Sequence, residues 1–289
     1  MTSLLQAAAA LCEGSDPRVV HVQTGTFPLL ASARHGLPAA TCALLSARAD
    51  PYQAQRATGD FPLLAAARRG HLWAAEALLR ESADPCQVNA QDSTFPLLVA
   101  VQGLHLGVVK ALLRARADPQ QAQAEGESFP LRAAAEQGGD EVAEELIHCR
   151  ADPQQTHRGG PGPLLLAAQG GHFKVTVVLL HSRADPIAVD GRSGCFPLLL
   201  AAQNGHLGIV DALLRQDADA TQYNLKTGTS PLLQACLAGH VGVVEALLQA
   251  RALPNQFNLK KPMLTPLVFA RRSKRSDLEA LLLKQKAFY

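Results

Sequence analysis

The sequence predicts an all-α repeat solenoid of stacked helix–turn–helix units joined by hairpin-like loops. Three markers in one register predict it. The proline of Phe-Pro-Leu-Leu, or of a close variant, falls at Pro28, Pro62, Pro96, Pro130, Pro163, Pro197, Pro231 and Pro266, in steps of 34, 34, 34, 33, 34, 34 and 35 residues. Ala-Asp-Pro recurs in phase at Asp50, Asp84, Asp118, Asp152 and Asp185, with Ala-Asp-Ala at Asp219. Gly-His marks the middle of the unit at Gly70-His71, Gly171-His172, Gly205-His206 and Gly239-His240. A fixed period of this length is the mark of a repeat array. It displaces the two separate domains that 289 residues would otherwise suggest.

Each element of the unit has a physical reason. Proline at the first helical position is pre-set in φ and gives up only an amide that would be orphaned anyway. Leu-Leu-x-Ala-Ala follows as a short helix whose alanines permit close packing, and glycine ends it. A second helix comes next, as in Leu207–Leu214, with apolar residues at three- and four-residue spacing and hence one buried face. After Ala-Asp-Pro the chain turns polar, and Gly59, Gly126, Gly194 and Gly228 punctuate a turn leading back to the next Phe-Pro. Seven full units are expected, starting near Phe27, Phe61, Phe95, Phe129, Gly162, Phe196 and Ser230 in a single array. Residues 2–17 read as an N-terminal capping half-unit and residues 265–289 as a C-terminal cap. One helix pair cannot bury its apolar face alone; stacking buries it.

Composition removes several classes. Hydrophobic residues make up 47%, which excludes global disorder, and aromatics only 4%, which argues against a large sandwich or barrel. The net charge of +2 carries no strong electrostatic address. No stretch has the roughly 20 apolar residues of a transmembrane helix. The six cysteines, Cys12, Cys42, Cys86, Cys149, Cys195 and Cys236, are far apart and read as reduced thiols, with Cys195 expected to be the most exposed. The segment Leu4–Leu11 lacks the basic flank of a secretion signal. An intracellular protein is expected, in the cytoplasm or alternatively the nucleus.

These residues resemble the ankyrin repeat family. Asn204–Leu214 lies close to that family's central motif, Ser230-Pro231-Leu232-Leu233 and Thr265-Pro266-Leu267 to its Thr-Pro-Leu start, and Ala49-Asp50 and its copies to the end of its repeat. The tetratricopeptide repeat has the same period but needs large aromatics that one tryptophan and three tyrosines cannot supply. Departures from the family pattern carry expectations. Phe27, Phe61, Phe95, Phe129 and Phe196 replace the threonine cap, whose loss costs about 0.5–2 kcal/mol. A buried phenylalanine ladder would offset that, at about 1.5–3 kcal/mol per side chain. The glycine before Ala-Asp is replaced by Arg48, Ser82, Arg116, Arg150, Arg183, Asp217 and Arg251. A left-handed backbone kept there should cost about 1 kcal/mol.

No motif supports catalysis: no nucleophile elbow, zinc-protease helix or phosphate loop is present. His71, His105, His172, His206 and His240 share one repeat position; one ligand per unit cannot close a metal shell, so packing is expected. Gly159-Gly160-Pro161-Gly162 reads as a flexible loop tip. No cofactor, metal or small-molecule substrate is expected, and neither nucleic acid nor acidic lipid is the expected partner.

The resemblance implies binding of a protein partner along a concave face and at the loop tips. Carried over by position, the face offers Arg34, His35, Arg68, Arg69, Gln102, Glu136, Gln137, Gln169, Gln203 and Asn204. The loops offer Asp60, Thr94, Ser128, Cys195 and Thr229. Residues 259–289 hold eight basic and two acidic residues, so Lys260, Lys261, Arg271, Arg272, Lys274 and Arg275 form either a solvated face or a basic patch. Gln53, Gln87, Gln121, Gln155, Gln222 and Gln256 alternate with Gln55, Asn89, Gln123, His157, Asn224 and Asn258, which suggests a short strand. Those amides either form a structural ladder or bond a peptide. The function expected is a non-catalytic interaction scaffold or adaptor. The alternative is a regulatory or targeting arm of an enzyme whose catalytic part lies elsewhere.

Overall fold

A computed structural model describes residues 25–124, 128–256, 258, 260 and 264–286. The expected N-terminal half-unit at 2–17 lies outside these, as do Gly126 and Lys261. The helices are grouped in two compact units that divide between Ala151 and Asp152. The first unit holds α1 (Pro28–Arg34), α2 (Pro38–Ser46), α3 (Pro62–Arg69), α4 (Leu72–Arg80), α5 (Pro96–Gln102), α6 (Leu106–Arg114), α7 (Pro130–Gln137) and α8 (Asp140–His148). The second holds α9 (Pro163–Gly170), α10 (Phe173–His181), α11 (Pro197–Asn204), α12 (Leu207–Arg215), α13 (Pro231–Ala238), α14 (Val241–Gln249), α15 (Pro266–Arg272) and α16 (Ser276–Lys286). Within each unit the odd-numbered helices pack on one another as an inner row, and the even-numbered as an outer row.

Every marker proline stands at the start of an inner helix, after a residue with extended backbone. At Ser230 and Thr265 the hydroxyl accepts the N–H of Leu233 and Val268. Where phenylalanine takes that place there is no side-chain cap, and the ring goes inward instead. Phe27, Phe61, Phe95 and Phe129 in the first unit, and Phe196 in the second, are at most 2% exposed. The expected ladder is present, and burial replaces capping.

Left-handed glycines end most inner helices, at Gly70 and Gly138 in the first unit and Gly171, Gly205 and Gly239 in the second. The shared histidines explain why a side chain is excluded there. A Cβ on Gly70 would lie 2.6 Å from the His105 ring, and one on Gly205 2.6 Å from that of His240. Nε2–H of His71, His206 and His240 donates to the carbonyls of Arg34, Gln169 and Gln203. Each of these histidines therefore joins its repeat to the preceding one. The third pair differs: Leu104 adopts the left-handed conformation at φ 53°, and Gly139 stands where the next histidine would be. The Leu104 side chain fills the space, 2.4 Å from where a Cβ on Gly139 would sit.

All seven residues that replace the glycine before Ala-Asp keep a left-handed backbone, with φ between 59 and 68°. They are strained as expected. Arg116→Gly should raise the unfolding free energy by about 0.5–1 kcal/mol, the relief of strain being partly offset by the freer unfolded chain. Urea unfolding measures it, and an unchanged or lower midpoint would contradict it.

The polar segments after Ala-Asp-Pro form no strand among the described residues, which corrects the alternation argument. Outward and inward side chains do alternate, but turns set the pattern rather than strand pairing. Most of these loops are closed by a backbone bond, as from Asn89 N–H to Thr94 O and from Asn224 N–H to Thr229 O. The amides form the structural ladder. Gln87 and Gln121 in the first unit donate to the carbonyls of Tyr52 and Cys86. Gln222 and Gln256 in the second donate to those of Ile187 and Thr221. The tip at Gly159–Gly162 is tied as well, Gly159 O accepting from Gly191 N–H at 3.0 Å.

Candidate functional site

Within each unit the proline-started inner helices pack in succession, so their last residues emerge side by side. In the first unit His35, Arg68, Arg69, Gln102, Glu136 and Gln137 are exposed there. In the second unit Gln169, Gln203 and Asn204 occupy the matching positions and are exposed. The helices are short and their alanine faces are consumed by packing, which leaves these C-terminal side chains to solvent.

Not all of them are available. Arg34 is half-buried and pairs with Asp60 at 3.1 Å. Arg68 takes the other Asp60 oxygen at 3.4 Å and reaches Asp92 at 3.9 Å. Asp60, expected as an exposed loop residue, is instead a mostly buried carboxylate between two arginines. The four charges form one chain and largely neutralise one another. Glu136 is paired with Arg132 at 3.0 Å, and Asn204 donates to Gln169 O. Arg69, Gln102, Gln137, Gln169 and Gln203 carry no side-chain bond among the described residues, and they form the open part of the site.

The other loop residues serve structure first. The carbonyls of Asp60, Thr94, Ser128, Cys195 and Thr229 each accept the bond that closes their loop. Cys195 is only partly exposed; among the described residues Cys42 is the exposed thiol. Cys236 is buried, and burial pushes its thiol up to about 12. Iodoacetamide at mildly alkaline pH should therefore label Cys42 readily and leave Cys236 unmodified until the chain unfolds. Peptide mass mapping checks this, and early labelling of Cys236 would contradict it.

The basic C-terminal residues do not act as one group. Arg271 pairs with Glu279 at 2.9 Å and Arg275 with Asp277 at 3.5 Å. Arg275 also lies over Gly239 and donates to its carbonyl, taking the role that histidine plays in other repeats. Arg272 and Lys274 remain exposed, Lys274 with a left-handed backbone. Asp92, which completes the charge chain, was not apparent from the repeat markers, because it belongs to a loop position that carries no marker.

Among the described residues no group of three or more histidine, cysteine or acidic side chains is placed to hold a metal ion. No described helix is long and apolar enough to cross a membrane.

Stacked helix pairs with an exposed inner-helix rim and projecting loops define a helical-repeat protein. The chain belongs to the ankyrin repeat family: the model for ankyrin repeats matches residues 29–123, 131–224 and 200–289. Among solved structures, the crystal structure of the human ASB11 ankyrin repeat domain is similar to the chain with a TM-score of 0.68. The two share 23% identity, over 78% of this chain and 98% of that one. No curated protein matches the chain in a sequence search. Ankyrin repeats generally mediate protein–protein interaction.

Proposed function

We propose that the chain is an interaction scaffold that holds a partner protein against the exposed ends of its inner helices and its loop tips. One observation carries this reading: Arg69, Gln102 and Gln137 emerge from successive inner helices of the first unit, exposed and unused by packing. Exposed polar groups on a rigid scaffold are ready to bond a partner without reorganisation. The neutralised chain from Arg34 to Asp92 fixes the rim beside them.

The test is affinity capture from a cell extract followed by mass spectrometry. The wild-type chain is compared with a variant carrying Arg69→Glu, Gln102→Arg and Gln137→Arg, after circular dichroism has shown equal helicity. Arg68 is left intact, because a glutamate there would face the nearly buried Asp60. A partner held by the wild type and lost by the variant supports the reading. Identical partner sets would overturn the assignment to this rim.

A further inference from the structure

Three consecutive loops of the second unit share one turn. Asp190, Asn224 and Asn258 are buried, and the Oδ1 of each accepts a backbone N–H two residues on, from Arg192, Lys226 and Lys260 at 3.1, 2.8 and 2.8 Å. Each turn thus sets a basic residue at an exposed tip. The row is regular: Arg192, Lys226 and Lys260 follow one another at 34-residue steps, and Arg158 stands in the preceding loop, one residue after His157 rather than two. In the first unit the residues two beyond Gln55 and Asn89 are Ala57 and Gln91, so no such row forms.

Arg192 interacts electrostatically with Asp190 of its own turn, whereas at Lys226 the charge has no structural task. Lys226 reaches back to the preceding loop, its Nζ donating to the carbonyls of Gly191 at 2.7 Å and Arg192 at 2.6 Å. Gln91 makes the matching contact in the first unit with a neutral amide, its Nε2 donating to Arg56 O at 2.8 Å. Joining neighbouring loops therefore needs a donor and not a cation. The Lys226 ammonium has a third N–H to offer. Among the described residues no carboxylate pairs with Arg158, Lys226 or Lys260. Apolar side chains stand in the same loops: Val189, Tyr223 and Leu225 are 55, 40 and 76% exposed.

We propose that this row of tips binds an extended acidic segment of a partner protein. Its carboxylates meet one basic tip per repeat, and apolar side chains between them cover Val189, Tyr223 and Leu225. The inference rests on the reading that the chain binds proteins, and it names the chemistry of the partner. Packed helices stand about 8–10 Å apart, and an extended residue spans about 3.3–3.6 Å. The matching segment therefore carries a carboxylate at every third position. An anionic bilayer would supply charge but would select no such spacing.

Fluorescence anisotropy with the full chain tests this, using a labelled peptide of about 15 residues that repeats Glu-Val-Ser. A second peptide has the same composition with its glutamates consecutive. The repeating peptide should bind about tenfold more tightly than the clustered one, and affinity should fall about tenfold or more in Arg192→Gln/Lys226→Gln/Lys260→Gln. Glutamine retains a donor for the loop contact, as Gln91 does, so folding is preserved. Restoring Lys226 as arginine should recover part of the affinity. Equal binding of both peptides, an unaffected triple variant, or binding only to phosphatidylserine vesicles would overturn the proposal. If the peptides fail while the rim variant still loses a captured partner, the scaffold reading stands and the acidic-segment inference falls.

Discussion

Phe95→Ala should lower the unfolding free energy by about 3–5 kcal/mol, the range for deleting a fully buried aromatic side chain. Phe95 is completely buried and makes no cap bond, so its whole contribution is packing. Replacing it by leucine should lose much less, because volume is nearly kept. Replacing it by threonine separates the two devices this family position can use. A threonine restores a hydroxyl cap but leaves a cavity, and the cavity term is the larger. Urea denaturation followed by far-ultraviolet circular dichroism measures all three variants. If Phe95→Thr were as stable as the wild type, capping and burial would be equivalent at this position, and the account of the ladder would fail. Because stability in a repeat protein is close to a sum of nearest-neighbour terms, the loss should be centred on α3 to α7. Hydrogen exchange resolves that distribution.

The second large effect is at a left-handed glycine beneath a neighbouring side chain. Gly59 has φ 70°, and a Cβ there would lie 2.0 Å from Oδ1 of Asn89, a buried amide that also donates to Thr58 O. Gly59→Ala therefore combines backbone strain with a collision against a bonded group. We expect a loss of about 2–5 kcal/mol, the sum of about 1–2 for the handedness and about 1–3 for overpacking. Gly159 supplies the control. It has φ 68°, but nothing lies within 4 Å of its Cβ direction. Gly159→Ala should lose only the strain, about 1–2 kcal/mol. Equal losses at the two positions would show that the contact with Asn89 contributes nothing.

Local rules made the helices legible. Proline positions marked the start of every inner helix, and the phenylalanines that replace threonine could be assigned to the core because a missing cap needs an offset. The left-handed backbone at Arg48 and its counterparts also followed from the repeat register. The strand did not. An alternation of two is shared by strands and by a segment whose turns bury every second side chain, and sequence alone could not separate Asn89 in a turn from Asn89 in a ladder. At the candidate site, exposure was readable from position, but partnership was not. The ion pair between Arg34 and Asp60 spans 26 residues, and that between Arg68 and Asp92 spans 24, neither of which is a repeat step. Each such pair depends on how a loop folds back across the preceding helix. The row of basic tips was within reach, since Arg192, Lys226 and Lys260 recur at 34-residue steps.

The exchange between Leu104 and Gly139 bears on how the chain avoids mispairing. Neighbouring repeats in this protein are close copies, and a nascent pair could dock one place too early or too late with nearly the same apolar contacts. Leu104 projects where the other repeats offer a bare glycine surface, and only the pair that begins with Gly139 leaves room for it. A histidine-bearing pair docked in that place would strike the leucine, and the Gly139 pair docked on a bare glycine would leave a hole. The two residues are thus complementary between the third and fourth helix pairs of the first unit, which favours the native register at that junction.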